Sequence, residues 1–511
     1  MNKKGRSAAL IFACLALSIL YACRSESVPK AVPRVENGVL DLRHWNFVKD
    51  GSVALDGEWE FYWHTLLKPD DFLGERPPSR SGFIKVPGTW NGYAVNGEKI
   101  PGTGYATYRL KILLEEADRR LAFKFLDMAV AFSVYVNGKM LLSAGIPGKT
   151  AASTRPQFYP QVAEFNPGSK QLDVIIQVSN FYHRKGGAWE PILLGLKDDI
   201  WQKRQNALTL NLFLFGGILM MGIYHIGLFV FRPQDKSTLF FGIFCFLIAV
   251  RSLVTGERYL IELFPNFNWE VHTKIAYLTF YTGVPVFAAY AGNIFPKEIP
   301  KYVIHIIAII GALFSAVVFF TPAKIYTNTA AAFQIFTILA FSYGIYVLIL
   351  ATYRKRQGAR LYLAGFIVLV LAGVNDILYS NLLIETGYMI QFGLFIFIFS
   401  QALLLSLRFS KAFATVESQR LTLQDTIKAY KNEIVERERT EEALRDSEEK
   451  YRQLVENANE AIVVAQDGRL RFVNARAVQL SGYSEAELKS NPFTDWVHPE
   501  ERDMDFNSAS E

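Results

Sequence analysis

ALTLNLFLFGGILMMGIYHIGLFVF, residues 207–231, decides the fold. The run contains no Asp, Glu, Lys or Arg, and its polar side chains are confined to Thr209, Asn211, Tyr224 and His225. The hydrocarbon core of a bilayer takes about 20 residues of helix, so the run is long enough to cross one. Six more runs of the same kind follow at 238–256, 271–293, 301–321, 329–352, 361–381 and 389–408. Short loops join them, which predicts an up-down bundle of seven transmembrane helices over 207–408.

The charges around the spans orient them. Loops on one side hold Arg232 and Lys236, Lys297 and Lys301, then Arg354, Lys355, Arg356 and Arg360. The opposite loops hold Arg258 and Lys324 together with Glu257, Glu262 and Glu385. Basic residues stay in the cytoplasm, so the C-terminus is expected inside and everything before residue 207 outside. Gly216, Gly217 and Gly222 suit close helix approach. Ionisable residues within spans are costly, and so are functional candidates. Arg251 lies 13 residues into the second span and Asp376 15 into the sixth, depths of ~20 and ~22 Å from the basic side at the helical rise. An intramembrane polar pair of Arg251 with Asp376 is one expectation; separate snorkelling to the outer interface is the other. His225 reads as an interhelical hydrogen-bonder or a proton site.

Composition agrees with a chain divided between lipid and water. Hydrophobic residues make up 51% and charged residues 20% of 511, with a mean hydropathy of +0.15. A net charge of +6 gives no concentrated basic face for nucleic acid. Three cysteines exclude a disulfide scaffold. Lys3, Lys4 and Arg6 precede an apolar stretch from Ala8 to Ala22 broken only by Ser18, which reads as a signal peptide over 1–22. Leu20-Tyr21-Ala22-Cys23 resembles a bacterial lipoprotein site with Cys23 as the lipidation residue, although Tyr21 departs from that pattern. An uncleaved anchor with an inert Cys23 is the alternative.

Residues 30–203 read as an exported all-β sandwich. Trp59, Phe61 and Trp63 alternate along one strand, and Asn137-Gly138 joins two apolar runs, the strongest short hairpin signal. Val86-Pro87-Gly88-Thr89-Trp90, Tyr105-Ala106-Thr107-Tyr108-Arg109 and Val134-Tyr135-Val136-Asn137-Gly138 occur in an order similar to the sugar-binding jelly roll of β-galactosidase-type glycosidases. In those enzymes that domain carries no catalytic carboxylate. The resemblance implies a small-molecule or carbohydrate ligand. Trp90, Asn180, His183 and Trp189, the last three in a loop with Gly186 and Gly187, are the candidate ligand-binding residues. Packing and plain loop structure remain the competing reading for them, as for Trp45, Trp59 and Trp63.

Past the last span, apolar residues continue at heptad spacing: Phe413, Val416, Leu423, Ile427, Tyr430, Ile434, then Leu444, Tyr451 and Val455. Arg437, Glu441 and Glu448 interrupt the seam. A parallel homodimeric coiled coil over 409–460 is expected, or a single solvated helix held by Glu433–Arg437, Glu441–Arg445 and Glu448–Arg452 pairs. Residues 451–511 resemble the first half of an α/β PAS sensor domain through Asp467-Gly468, Asn474, Gly482-Tyr483 and His498-Pro499. Only two strands precede Glu511, so the PAS domain is expected to be partial and to hold no cofactor.

The whole order is similar to bacterial seven-transmembrane receptors with diverse intracellular signalling modules (7TMR-DISM). That resemblance implies a multidomain receptor of the cytoplasmic (inner) membrane, in contact with lipid. It would sense outside and relay through a coiled coil to a cytoplasmic output domain or protein. The sequence shows no catalytic motif, metal-ligand cluster or cofactor loop. The sensory half of a histidine kinase or diguanylate cyclase, with the kinase favoured, is one alternative, and a transporter is another.

Overall fold

At Asn137 and Gly138 the backbone takes φ of 47° and 83°. Positive φ at both central residues gives a two-residue turn whose twist matches the strands it joins. The structure is a computed structural model that describes residues 32–498, apart from 127, 129 and 357. The signal peptide expected at 1–22 and Cys23 lie outside the described residues.

The strands are β1 (Val39–Leu42), β2 (Val53–Ala54), β3 (Gly57–Trp63), β4 (Gly82–Val86), β5 (Ala94–Val95), β6 (Glu98–Lys99), β7 (Gly104–Leu114), β8 (Leu121–Phe125), β9 (Ala131–Val136), β10 (Lys139–Ala144), β11 (Gln161–Phe165), β12 (Gln171–Asn180) and β13 (Leu193–Leu196). One sheet runs β10-β9-β12-β7-β3-β4, with β1 alongside β7, and the other runs β11-β8-β13-β2. Trp59, Phe61 and Tyr108 from the first sheet share a core with Phe123, Phe125 and Leu194 from the second. The core also takes Trp45, with Trp63 packed at its margin. The alternation along β3 is therefore core patterning, not a ligand platform.

The helices begin without a linker. α1 (Lys197–Phe231) starts at the residue after β13, ten residues before the apolar run. α2 (Lys236–Val254), α3 (Trp269–Ile294), α4 (Lys301–Phe320), α5 (Ala330–Tyr353) and α6 (Ala359–Ser380) follow. Among the described residues six helices are long and apolar enough to cross a membrane, which makes this a multi-pass membrane protein. The seventh expected span falls in α7 (Ile390–Glu456), whose apolar part, Ile390–Leu404, is shorter.

Helix contacts explain several small residues. A Cβ at Gly222 would lie 3.3 Å from the Gly242 carbonyl oxygen, so α1 and α2 touch through backbone. Gly217 faces Phe395, whereas a Cβ at Gly216 would meet nothing within 4 Å. Pro285 interrupts α3, and Gly311 of α4 gives its ring room. His225 shares a hydrogen bond with the Met221 carbonyl of its own helix at 2.9 Å and sets its ring against Phe241. It therefore bonds within α1 rather than between helices.

Contacts divide the chain into a unit ending at Leu405 and a second from Ser406. In the second, the seam residues of α7 stand in water: Phe413 is 74% and Ile427 48% exposed. Among the described residues the expected Glu433–Arg437, Glu441–Arg445 and Glu448–Arg452 pairs are not formed, and Arg437 forms an ion pair with Glu441 at 3.1 Å. At that exposure it contributes little. β14 (Val463–Gln466) and β15 (Arg469–Val473) form a hairpin, followed by α8 (Ala475–Ser481) and α9 (Glu485–Ser490). Ser484 and Glu487 form a capping box that starts α9. Leu470, Val473, Ala477 and Leu488 make a small core.

Candidate functional site

β12 ends at Asn180, and the chain from there to Trp189 folds back toward the helices. Asn180 is fully buried. Its Nδ2 donates to the carbonyls of Gly102 (2.7 Å), His183 (2.7 Å) and Lys185 (3.0 Å), while its Oδ1 accepts from the His183 amide (3.0 Å). Gly186 lies against the Trp90 indole so closely that a Cβ would overlap it, and Gly187 has φ of 110°. Trp90 is itself fully buried and donates its indole N–H to the Gly102 carbonyl at 3.0 Å. Neither Trp90 nor Asn180 has a face left for a ligand, which corrects their assignment as ligand-binding residues: they fix the loop. Asn180→Ala will strip several carbonyls of their donor at once. It should cost about 2–4 kcal/mol at the usual penalty for unmet buried groups, read as a lowered midpoint in urea unfolding of the detergent-solubilised protein.

What the loop presents is a row of side chains, His183, Arg184, Lys185, Trp189 and Glu190, along a cavity of about 310 Å³. The other walls come from α2, α3, α4, α5, α6 and the start of α7. The end near the loop is polar: Arg251, Arg258, Tyr277, Asp376 and Tyr388 stand there. The cavity then continues as an apolar shaft past Ile248, Phe280, Phe287 and Phe341 towards Phe366 and Tyr362. From Asp376 to Tyr362 is 14 residues of α6, or ~21 Å at the helical rise.

Arg251 and Asp376 both face this cavity, yet they form no ion pair among the described residues. Each of the two groups also has protein partners of its own. Arg251 donates to the Ala276 carbonyl at 2.5 Å and lies over the Phe280 ring, 5.4 Å from its centroid. The Asp376 carboxylate accepts the Met389 and Ile390 amides at 2.6 and 3.2 Å. Those amides belong to the residue before α7 and to its first residue, so Asp376 acts as a cap between α6 and α7.

Burial and the adjacent Arg184 charge push the His183 imidazole down to about 3. His183 is thus neutral at pH 7, tilted against Trp189 with centroids 5.2 Å apart. Burial, then Arg184, also lowers Lys185 to about 8. Lys185 donates to the Ser380 carbonyl, and Glu190 accepts from the Tyr379 hydroxyl at 2.7 Å. Arg258 stacks on Phe158 at 3.8 Å. The Nε of Arg184 and the indole N–H of Trp269 are buried without a hydrogen-bond partner. The Arg184-Lys185 pair and Arg258 were missed as site residues. Their one signal was an Arg-Lys dipeptide beside Gly186-Gly187 in a loop.

The same face of the β-domain, and the start of α1 below it, are tied to the loops between spans. Lys124 pairs with Glu257, and Arg204 with Glu262. The Arg184 amide bonds Thr327 at 3.1 Å, and the Gln157 amide group reaches the Pro265 carbonyl at 3.4 Å. These loops follow α2 and α4, on the side with few basic residues.

Residues 207–408 match the family model for 7TM diverse intracellular signalling, and residues 449–510 match that for the PAS domain. No curated protein matches. Among solved structures, the chain is similar to a β-glucuronidase from an uncultured Clostridium sp., with 16% identity and a TM-score of 0.23, covering 28% of each chain. A Ruminococcus gnavus β-glucuronidase gives 15% and 0.22, covering 28% of this chain and 27% of that one. A β-galacturonidase from Eisenbergiella tayi bound to galacturonate gives 17% and 0.20, covering 28% and 24%. The chain thus spans less than a third of those enzymes.

Proposed function

From a chain that carries a 7TM diverse intracellular signalling domain and a PAS domain, we infer a transmembrane receptor of the bacterial cytoplasmic membrane. Its ligand enters the cavity between the β-domain and the spans, and its signal leaves along α7. The observation that carries this reading is the position of Asp376. It lines the cavity and accepts the amides of Met389 and Ile390 at the start of α7, and α7 runs 67 residues from there to Glu456. A ligand that moves α6 against α7 therefore acts on the start of that helix.

The rest of the reading follows from charge and exposure. The β-domain, read as a jelly roll, lies outside, because the loops it contacts are poor in Lys and Arg while the opposite loops are rich in them. The exposed heptad seam of α7 asks for a partner, and a second copy in parallel supplies one. The output is a cytoplasmic signalling domain or protein beyond the PAS segment. Ile427→Cys in native membranes should form a disulfide-linked dimer under mild oxidation, while Asn432→Cys, off the seam, should not. Gly283→Leu, which fills the cavity, should change the Ile427→Cys cross-linking rate at least twofold. An unchanged rate would separate the cavity from α7 and end the receptor reading.

A further inference from the structure

The cavity gathers cations at one end and is mostly apolar towards the other, where Phe366 and Tyr362 stand. Arg184, Lys185, Arg251 and Arg258 line the polar end against two carboxylates, Glu190 and Asp376. Both carboxylates also accept from neutral donors, Asp376 from two backbone amides and Glu190 from the Tyr379 hydroxyl, and two negative charges offset only part of the positive charge gathered there. Among the described residues no ion pair forms at Arg184, Lys185 or Arg251, and the Arg184 Nε is buried without an acceptor. Charges drawn together in a low-dielectric space repel strongly, and buried donors left unmet cost free energy. An entering acid group relieves both. A neutral sugar relieves neither charge.

The other end selects a chain. At Gly283 a Cβ would meet only Phe244, at 3.9 Å, so the shaft is open there. Its walls offer Ile248, Phe280, Phe287 and Phe341, and the Thr279 and Thr337 hydroxyls among them are turned to carbonyls of their own helices. Apolar chain surface is therefore favoured over water in it.

We propose that this cavity binds an amphiphilic anion, a carboxylate or phosphate head among Arg184, Lys185, Arg251 and Arg258 with a single apolar chain along the shaft. Arginine gives the head paired, parallel donors. The assignment rests on the receptor reading for its consequence, since the chain passes α6 and the head lies beside the cap of α7. Two sources supply this chemistry, a soluble fatty acid from outside and an acidic lipid of the surrounding bilayer.

The test uses the full chain in nanodiscs of phosphatidylcholine, with dodecanoate as probe and empty nanodiscs as background. Quenching of Trp189 and Trp269 fluorescence should saturate with dodecanoate. Dodecanol should bind at least tenfold more weakly, and dodecyltrimethylammonium should not compete. Arg184→Gln should weaken dodecanoate at least tenfold. Gly283→Leu, which keeps the head site and shortens the shaft, should abolish dodecanoate binding while hexanoate still binds. Nanodiscs with phosphatidylglycerol that suppress the dodecanoate signal identify the bilayer as the source; no suppression identifies a soluble acid. Either result supports the anion site. Equal binding of dodecanol and dodecanoate, or no saturable binding of either, overturns it. Ile427→Cys cross-linking is recorded in the same samples: binding that leaves cross-linking unchanged refutes the receptor reading and leaves the site standing.

Discussion

Glu257→Leu will lower the stability of the first unit by about 3–5 kcal/mol, the cost of removing one member of a buried ion pair. Glu257 lies in the loop after α2 and is paired with Lys124 of β8. Arg204 of α1 lies 3.9 Å from its other oxygen. The side chains of Lys124, Glu257 and Arg204 are only 10%, 9% and 9% exposed. Without Glu257, the Lys124 ammonium is held out of water with no counter-charge. Arg204 keeps Glu262 and the Pro160 carbonyl, the latter at 3.0 Å, so Lys124 carries most of the loss. The double change Lys124→Met with Glu257→Leu should recover most of it, because an apolar pair of similar volume replaces a desolvated one. Urea unfolding in detergent, followed by tryptophan fluorescence, gives both values. A single change that costs under 1 kcal/mol would mean that water reaches the pair.

The span pattern was legible because lipid imposes it: no water satisfies the backbone there, so long apolar runs admit one structure. The β-hairpin at Asn137-Gly138 was legible because the residues themselves supply the positive φ. The cavity was not, because it forms between segments far apart in sequence. Arg184 and Arg258 belong to separate loops, and nothing along the chain says that they converge. Arg251 and Asp376 were found as costly residues at matching depth, but depth does not give azimuth. Each satisfied itself on backbone, Arg251 on the Ala276 carbonyl and Asp376 on the α7 amides. Trp90 and Asn180 misled for a related reason. An aromatic ring and an amide in a loop suit a ligand or a buried brace equally, and only burial distinguishes them.

Asn474→Ala will loosen the second unit more than any surface change, by roughly 3 kcal/mol for a fully hydrogen-bonded buried amide. Asn474 is completely buried. Its Oδ1 accepts from the amides of Ile462 and Ala477, both at 2.9 Å, and the latter bond caps α8. Its Nδ2 donates to the carbonyls of Val455 at 3.0 Å and Glu460 at 2.9 Å. Val455 belongs to the last turn of α7, so one side chain joins the end of that helix to the hairpin and to α8. The apolar core beside it is small, with Leu470, Val473, Ala477 and Leu488, and little else compensates. Asn474→Asp separates the two halves of this role. The carboxylate keeps both acceptor bonds but has no donor, and it turns negative oxygen towards the Val455 and Glu460 carbonyls. Asp should therefore be no better than Ala despite its matching shape. Hydrogen exchange of the full chain in nanodiscs reads the effect at the amides of Ile462 and Ala477 and along the last turn of α7. If Asp protects those amides as well as Asn does, the donor half of the amide carries nothing, and the coupling of α7 to the hairpin lies elsewhere.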